Sequence, residues 1–152
     1  MFLIKLNNIN LTELIKIHQL CDKDFVPKLS SRVNIEDYCK KLFNNANFVT
    51  INSDEKIIGL VAIYTNNFQT KEAYISSVCL LKEYRGKGLS KVLISETIKY
   101  TVSLGMEIIR LEVGIENETA KKLYESFNFY MVERRGNDTQ IMELKLTQSH
   151  FV

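Results

Sequence analysis

The chain has 152 residues, 45% of them hydrophobic and 25% charged, and its 20 basic and 18 acidic side chains leave a net charge of +2. That length and composition fit one globular domain over 1–152 with a sizeable core, and they exclude a disordered chain. A balance this close, with no basic run, argues against nucleic acid and against an anionic membrane as partners.

The first element is a short strand, Phe2 to Leu6. A helix follows from Leu11 to about Asp24, because Leu11, Leu14, Ile15, His18 and Cys21 recur at helical spacing. Asn34 is placed to cap a second helix, with Glu36 and Asp37 in its first turn. Behind the cap Ile35, Tyr38, Cys39, Leu42 and Phe43 form an apolar stripe.

The pattern then becomes extended. Phe48 to Asn52 and Lys56 to Tyr64 read as a hairpin around Ser53-Asp54-Glu55, and Glu72 to Leu81 as a further strand. This strand is apolar on both faces near Val78-Cys79-Leu80-Leu81, which predicts a central position. A long helix runs from about Gly88 to Leu104, with Leu89, Leu93, Thr97, Tyr100 and Leu104 on one face and Val92 and Ile94 widening it. Gly105 is placed as its left-handed terminator.

Ile108 to Val113 is a strand, and Glu118 to Phe127 a helix with Ala120, Leu123, Tyr124 and Phe127 on one face. Tyr130 to Arg135 and Gln140 to Leu146 make a last hairpin around Gly136-Asn137-Asp138. The order predicts an α/β domain built on one sheet of mixed direction.

The three cysteines, Cys21, Cys39 and Cys79, are too scattered for a disulfide framework, and no metal-ligand spacing is present. They read as reduced, mostly buried thiols. Met1 to Lys5 does not resemble a signal peptide and no apolar stretch could span a bilayer, so the expectation is a soluble cytoplasmic protein without a membrane partner.

The chemistry concentrates where the strand ending at Leu81 meets the long helix, through Arg85-Gly86-Lys87-Gly88-Leu89-Ser90-Lys91. Glycines let a backbone turn tightly against a ligand, and the N–H groups of a helix N-terminus then face it with a favourable dipole. This suits a pyrophosphate. A P-loop would need glycine where Leu81 stands and Ser or Thr where Gly88 stands; a dinucleotide fingerprint would need glycine at Lys91. By itself the segment reads equally as a plain strand-to-helix turn.

What does fit is Arg85, Gly88 and the small Ser90, which resembles the coenzyme A loop of the GNAT acetyltransferase superfamily. A second segment, Leu111 to Phe129, resembles that superfamily's later motif: Asn117, Ala120, Leu123, Tyr124 and Phe129 match in spacing. Asn128 stands where glycine is usual, and asparagine tolerates the left-handed conformation best among the other residues.

The resemblance implies a GNAT-like fold, a mixed central sheet of about six to seven strands flanked by about four helices. It implies acetyl-CoA as cosubstrate and no metal. The backbone around Val78, Cys79 and Leu80 would pair with the pantetheine arm, with the Leu80 N–H available to the thioester carbonyl. Arg85, Gly86, Lys87, Gly88, Leu89, Ser90 and Lys91 would hold the pyrophosphate, mostly by main-chain N–H groups, and Asn117 the pantetheine. Homodimers are common in the superfamily, which leaves a homodimer open.

Attack of an amine on a thioester poses two proton problems. An amine of pKa ~10.4 must lose a proton, and a thiolate whose acid has pKa ~8.5 gains from receiving one. By position in the motif Tyr124 would be the acid; its other reading is core packing beside Ala120, Leu123 and Phe127. Glu112 is the candidate base, directly or through water; its other reading is a surface strand residue paired with Arg110 on the same face. Glu72 and Glu116 are weaker candidates for the base, Ser76 and Ser77 could order a water, and Tyr38, Tyr64 and Tyr74 read as core or site walls. His18 reads as a satisfied core or rim histidine.

The expected function is therefore acetyl transfer to a primary amine of a small-molecule acceptor. A protein N-terminal or lysine acetyltransferase, and a non-catalytic CoA-binding module, are the alternatives.

Overall fold

The structure, a computed structural model, describes residues 1–146. Its elements in chain order are β1 (Phe2–Leu6), α1 (Leu11–Leu20), α2 (Ile35–Asn45), β2 (Asn47–Ser53), β3 (Lys56–Asn67), β4 (Glu72–Leu80), α3 (Leu89–Ser103), β5 (Ile108–Gly114), α4 (Glu118–Glu125), β6 (Tyr130–Arg135) and β7 (Thr139–Lys145). Among the described residues no helix is long and apolar enough to cross a membrane.

The helices begin where side chains satisfy their free N–H groups. Asn10 accepts from the Glu13 N–H at 2.8 Å while Glu13 accepts from the Asn10 N–H at 3.0 Å, a reciprocal capping box. Asn34 accepts from the Asp37 N–H, as predicted. Helix α1 stops at Leu20, short of the predicted Asp24, and the chain continues as a 3-10 turn at Asp22–Asp24. There the Asp22 carboxylate accepts from both the backbone and the hydroxyl of Ser30, which ties that end to the following loop.

The seven strands form one sheet in the order β1-β2-β3-β4-β5-β7-β6. Asp54 and Glu55 both have positive φ, which makes the β2–β3 connection a two-residue turn; Ser53 belongs to the strand. Ile58 to Ile63 of β3 is continuously buried, because α1 and α2 pack on this strand and so does α3. Strand β4 is central, as predicted.

Helix α3 buries Leu89, Leu93, Ile94, Thr97, Ile98, Thr101 and Val102. This face differs from the predicted one: Val92 is 40% exposed and Tyr100 half-buried. Two threonines fit the buried face because Thr97 donates to the Leu93 carbonyl and Thr101 to the Thr97 carbonyl, each at 2.7 Å. Each large aliphatic side chain buried here contributes about 1.5–3 kcal/mol. Phe43, predicted on the α2 stripe, is exposed. Asn128 takes φ 72° just beyond α4, the left-handed role expected of it.

Two features of β4 decide what the fold can do. Ile75 pairs with Ile63 and Ser77 with Ala62, so Ser76 is an extra residue, a bulge. In addition, β4 pairs with the parallel β5 only from Glu72 to Ile75, opposite Ile108 to Leu111. Past those residues the two strands part, while β4 continues to pair with β3 as far as Leu80.

Candidate active site

The gap between β4 and β5 is the floor of a cavity of about 930 Å³. Its polar groups follow from strand alternation. Leu81 donates its N–H to the Ile58 carbonyl at 2.8 Å, so the N–H and carbonyl of Leu80, one residue back, point the other way, into the gap.

The next wall is the turn into α3. Gly88 caps that helix at φ 78° with no side-chain hydrogen bond, so the first N–H groups of α3 have no side chain to satisfy them. Gly86 is also left-handed, at φ 80°, and nothing lies within 4 Å of where a Cβ would sit on either glycine. Val78, Leu80, Arg85, Gly86, Gly88, Leu89, Ser90, Lys91 and Asn117 all line the cavity. Two residues of the predicted cofactor set do not. The Cys79 side chain turns to the α1 side, near Ser77 Oγ at 3.5 Å, and Lys87 lies over the Tyr84 ring. All three cysteines are free and buried. Asn117 also caps α4, accepting from the Ala120 N–H at 3.3 Å.

The Arg85 side chain is engaged within the protein. Its Nε and Nη2 donate to the Leu80 carbonyl at 3.2 and 2.9 Å, and the guanidinium forks onto the Asp24 carboxylate. That carboxylate holds the Arg85 pKa above its usual value. The loop carrying Asp24 also reaches β5, where a Cβ on Gly114 would sit 3.0 Å from the Val26 carbonyl oxygen and 3.1 Å from Val26 Cγ1. The segment around Asp24–Val26 is thus a strap tied to both sides of the gap. Gly114→Ala should lower the unfolding free energy by about 1–3 kcal/mol, the usual effect of overpacking. It would be read as a shifted denaturant midpoint at unchanged slope; an unshifted midpoint would mean that the strap moves aside freely.

Two candidate proton-transfer groups also line the cavity. Tyr124 is 7% exposed, its ring 5.7 Å from that of Phe129. Burial pushes its pKa up to about 12. Glu112 does not pair with Arg110. It lies 2.6 Å from Thr139 Oγ1, which is also 2.7 Å from the Arg135 carbonyl, so one hydroxyl proton serves two acceptors. Tyr74 and Tyr38 wall the same side. Tyr38 donates to the Ser76 carbonyl at 2.9 Å and lies 2.7 Å from Ser76 Oγ. Burial raises the Tyr38 pKa to about 12.

His18 is fully buried outside the cavity wall. Its Nδ1 lies 2.8 Å from the Leu14 carbonyl, which can only accept, so Nδ1 carries the proton and Nε2 accepts from Ser77 Oγ at 2.7 Å. Burial lowers its pKa, consistent with a neutral core histidine that fixes Ser77. Glu116 is exposed and Glu72 lies in a second cavity with Tyr64. The sequence reading did not include Asp24, Val26, Arg32 and Thr139 in the site. Asp24, Val26 and Arg32 lie far along the chain from the two motifs, Thr139 lies ten residues beyond the second, and none carries a local pattern. Among the described residues no group of three or more His, Cys, Asp or Glu could hold a metal ion.

Residues 11–129 match the sequence model of the Acetyltransferase (GNAT) family. The chain is 29% identical over 120 residues to N-alpha-acetyltransferase 30 of Schizosaccharomyces pombe, covering 78% of each protein. Its fold is similar to that of the ribosomal-protein-S18-alanine N-acetyltransferase of Escherichia coli, with a TM-score of 0.79 at 19% identity over 97% of this chain and 96% of that one. It is also similar to the PaiA N-acetyltransferase of Thermoplasma acidophilum, solved with coenzyme A, with a TM-score of 0.76 at 23% identity over 95% and 99% of the two chains. The matches span from 34% to 78% of the length of the curated relatives.

Proposed function

Because the chain belongs to the Acetyltransferase (GNAT) family, we propose that it transfers the acetyl group of acetyl-CoA to a primary amine. The observation that carries this reading is the parting of β4 from β5 beside an uncapped helix N-terminus, with Glu112 and Tyr124 lining the same cavity. Acetyl-CoA supplies an activated thioester; the residues supply position and protons.

The backbone of Val78 and the N–H of Leu80 offer hydrogen bonds to an extended amide chain, the Leu80 carbonyl being held by Arg85. The N–H groups from Leu89 onward and the Lys91 ammonium face the pyrophosphate. Arg85 is held by Asp24, so its part is to fix the turn. The Leu80 N–H is placed to polarise the thioester carbonyl. Glu112, directly or through one water, takes the proton of the amine. The amine nitrogen bonds to the acetyl carbon, the carbon–sulfur bond breaks with its electron pair on sulfur, and Tyr124 protonates the departing thiolate and is reprotonated through water by the proton that the nitrogen loses as it becomes the amide.

The acceptor is read first as a small-molecule amine, with Asp24, Phe25 and Val26 of the strap lining the same cavity as Glu112. A second reading, the α-amine of a protein N-terminus, is favoured by the names of two similar proteins. Thiol release from acetyl-CoA across amino sugars, polyamines, amino acids, aminoglycosides and short peptides separates the two. Turnover of one class assigns the acceptor. If no amine is turned over while acetyl-CoA stabilises the protein, by ~2.7 kcal/mol at ~100 times its dissociation constant, the result favours a binding module. Glu112→Gln should lower kcat/KM at pH 7 by about 10²-fold or more with that stabilisation retained. An unchanged rate would remove Glu112 from the mechanism.

A further inference from the structure

Beside the acceptor wall lies a second cavity of about 350 Å³, lined by Tyr64, Glu72, Tyr74, Arg110 and Arg135 among others. Tyr74 lines both cavities, so they share this side chain as a wall. Burial and then the Glu112 charge raise the Tyr74 pKa, while Arg135 and Arg32 lower it. Of these groups Glu112 and Arg32 line the first cavity and Arg135 the second.

Arg110 has no evident role within the fold. Its Nε is buried without a hydrogen-bond partner among the described residues. Glu143 is its cross-strand neighbour on β7 and Glu72 lines the same cavity, yet neither comes within ion-pairing distance; the salt bridges of the described residues involve other groups. Arg135, which is exposed, pairs with Glu133 at 3.0 Å. A buried guanidinium Nε is costly unless something accepts from it. Two guanidinium groups in one cavity suit an oxyanion, which can accept a forked pair of hydrogen bonds.

We propose that this cavity receives an anionic group, a carboxylate or phosphate, carried by the amine acceptor itself. The proposal rests on the acetyltransferase reading above and names its substrate class. Arg110 and Glu112 are two residues apart on one strand face, a separation of about 7 Å. An acceptor whose amine meets Glu112 and whose anion meets Arg110 must hold the two groups at roughly that spacing. A free amino acid acylated on its side-chain amine satisfies this, and so does a peptide with an acidic second residue.

The test compares matched acceptors: ornithine against putrescine, and a peptide with glutamate second against the same peptide with glutamine. Wild type should favour the anionic member of one pair by about tenfold to a hundredfold in KM, the worth of a charge-assisted hydrogen bond. The pair that responds identifies the source of the anion. Arg110→Met should abolish the preference while leaving kcat and the KM for acetyl-CoA within twofold. Arg135→Met, at an exposed position, should reduce it by a smaller factor without any risk to the fold. Calorimetric binding of the same four compounds needs no turnover. Tighter binding of an anionic member to wild type but not to Arg110→Met supports the proposal even if acetyl transfer fails. Equal binding and equal KM within both pairs, or equal losses for both members in Arg110→Met, would overturn it.

Discussion

Tyr124→Phe is expected to lower kcat by about 10²- to 10⁴-fold, the usual range for a lost general acid, with little change in stability or in acetyl-CoA binding. The substitution removes one oxygen. Burial alone raises the Tyr124 pKa, to about 12, and among the described residues no hydrogen bond to the hydroxyl contributes. The fold thus loses almost nothing with that oxygen, while the thiolate loses its proton donor. The same burial sets the pH behaviour. Tyr124 stays protonated until the pH approaches about 12, so its ionisation adds no descending limb to the wild-type rate profile below about pH 11. A donor thioester with a more acidic thiol needs less help in leaving and should narrow the gap between wild type and variant. Unchanged turnover in Tyr124→Phe would return this side chain to core packing beside Phe129.

The second large effect is expected at Gly88. Gly88→Ala should raise the dissociation constant of acetyl-CoA at least tenfold and remove most of its thermal shift. No atom lies within 4 Å of the new Cβ, so there is no clash, and the penalty comes from the backbone at φ 78°. A non-glycine residue held there costs about 1–3 kcal/mol, and the turn can relax by rotating away. That rotation would turn aside the N–H groups at the start of α3. Gly105→Ala is the control, because Gly105 follows the other end of the same helix at φ 82°, also with open space around its Cβ. Both variants should unfold slightly earlier, by about 2–4 °C per kcal/mol for a chain of this size. Only Gly88→Ala should weaken acetyl-CoA. Equal cofactor affinity in the two variants would mean that the turn does not hold the donor.

Much of this protein follows from local pattern. The period-2 and period-3.6 runs placed every strand and helix in order. Asn34 and Gly105 ended up in the cap positions their chemistry favours, and Asn128 in the left-handed one. Tyr124 and Glu112 face one cavity because strand alternation and helical spacing are short-range rules. Other features required the assembled chain. The Ser76 bulge and the separation of β4 from β5 depend on pairing with β3 and β5, segments remote in sequence. Local alternation also suggested an Arg110–Glu112 pair. In the sheet Glu112 instead meets Thr139, leaving Arg110 for the second cavity. The motif gives Arg85 a place in the turn, and only the strap 61 residues earlier shows that its side chain is held by Asp24. Cys79 and Lys87 sit in the correct segments, yet their side chains leave the cavity. A motif specifies the path of the backbone, while the packing around each residue decides where its side chain points.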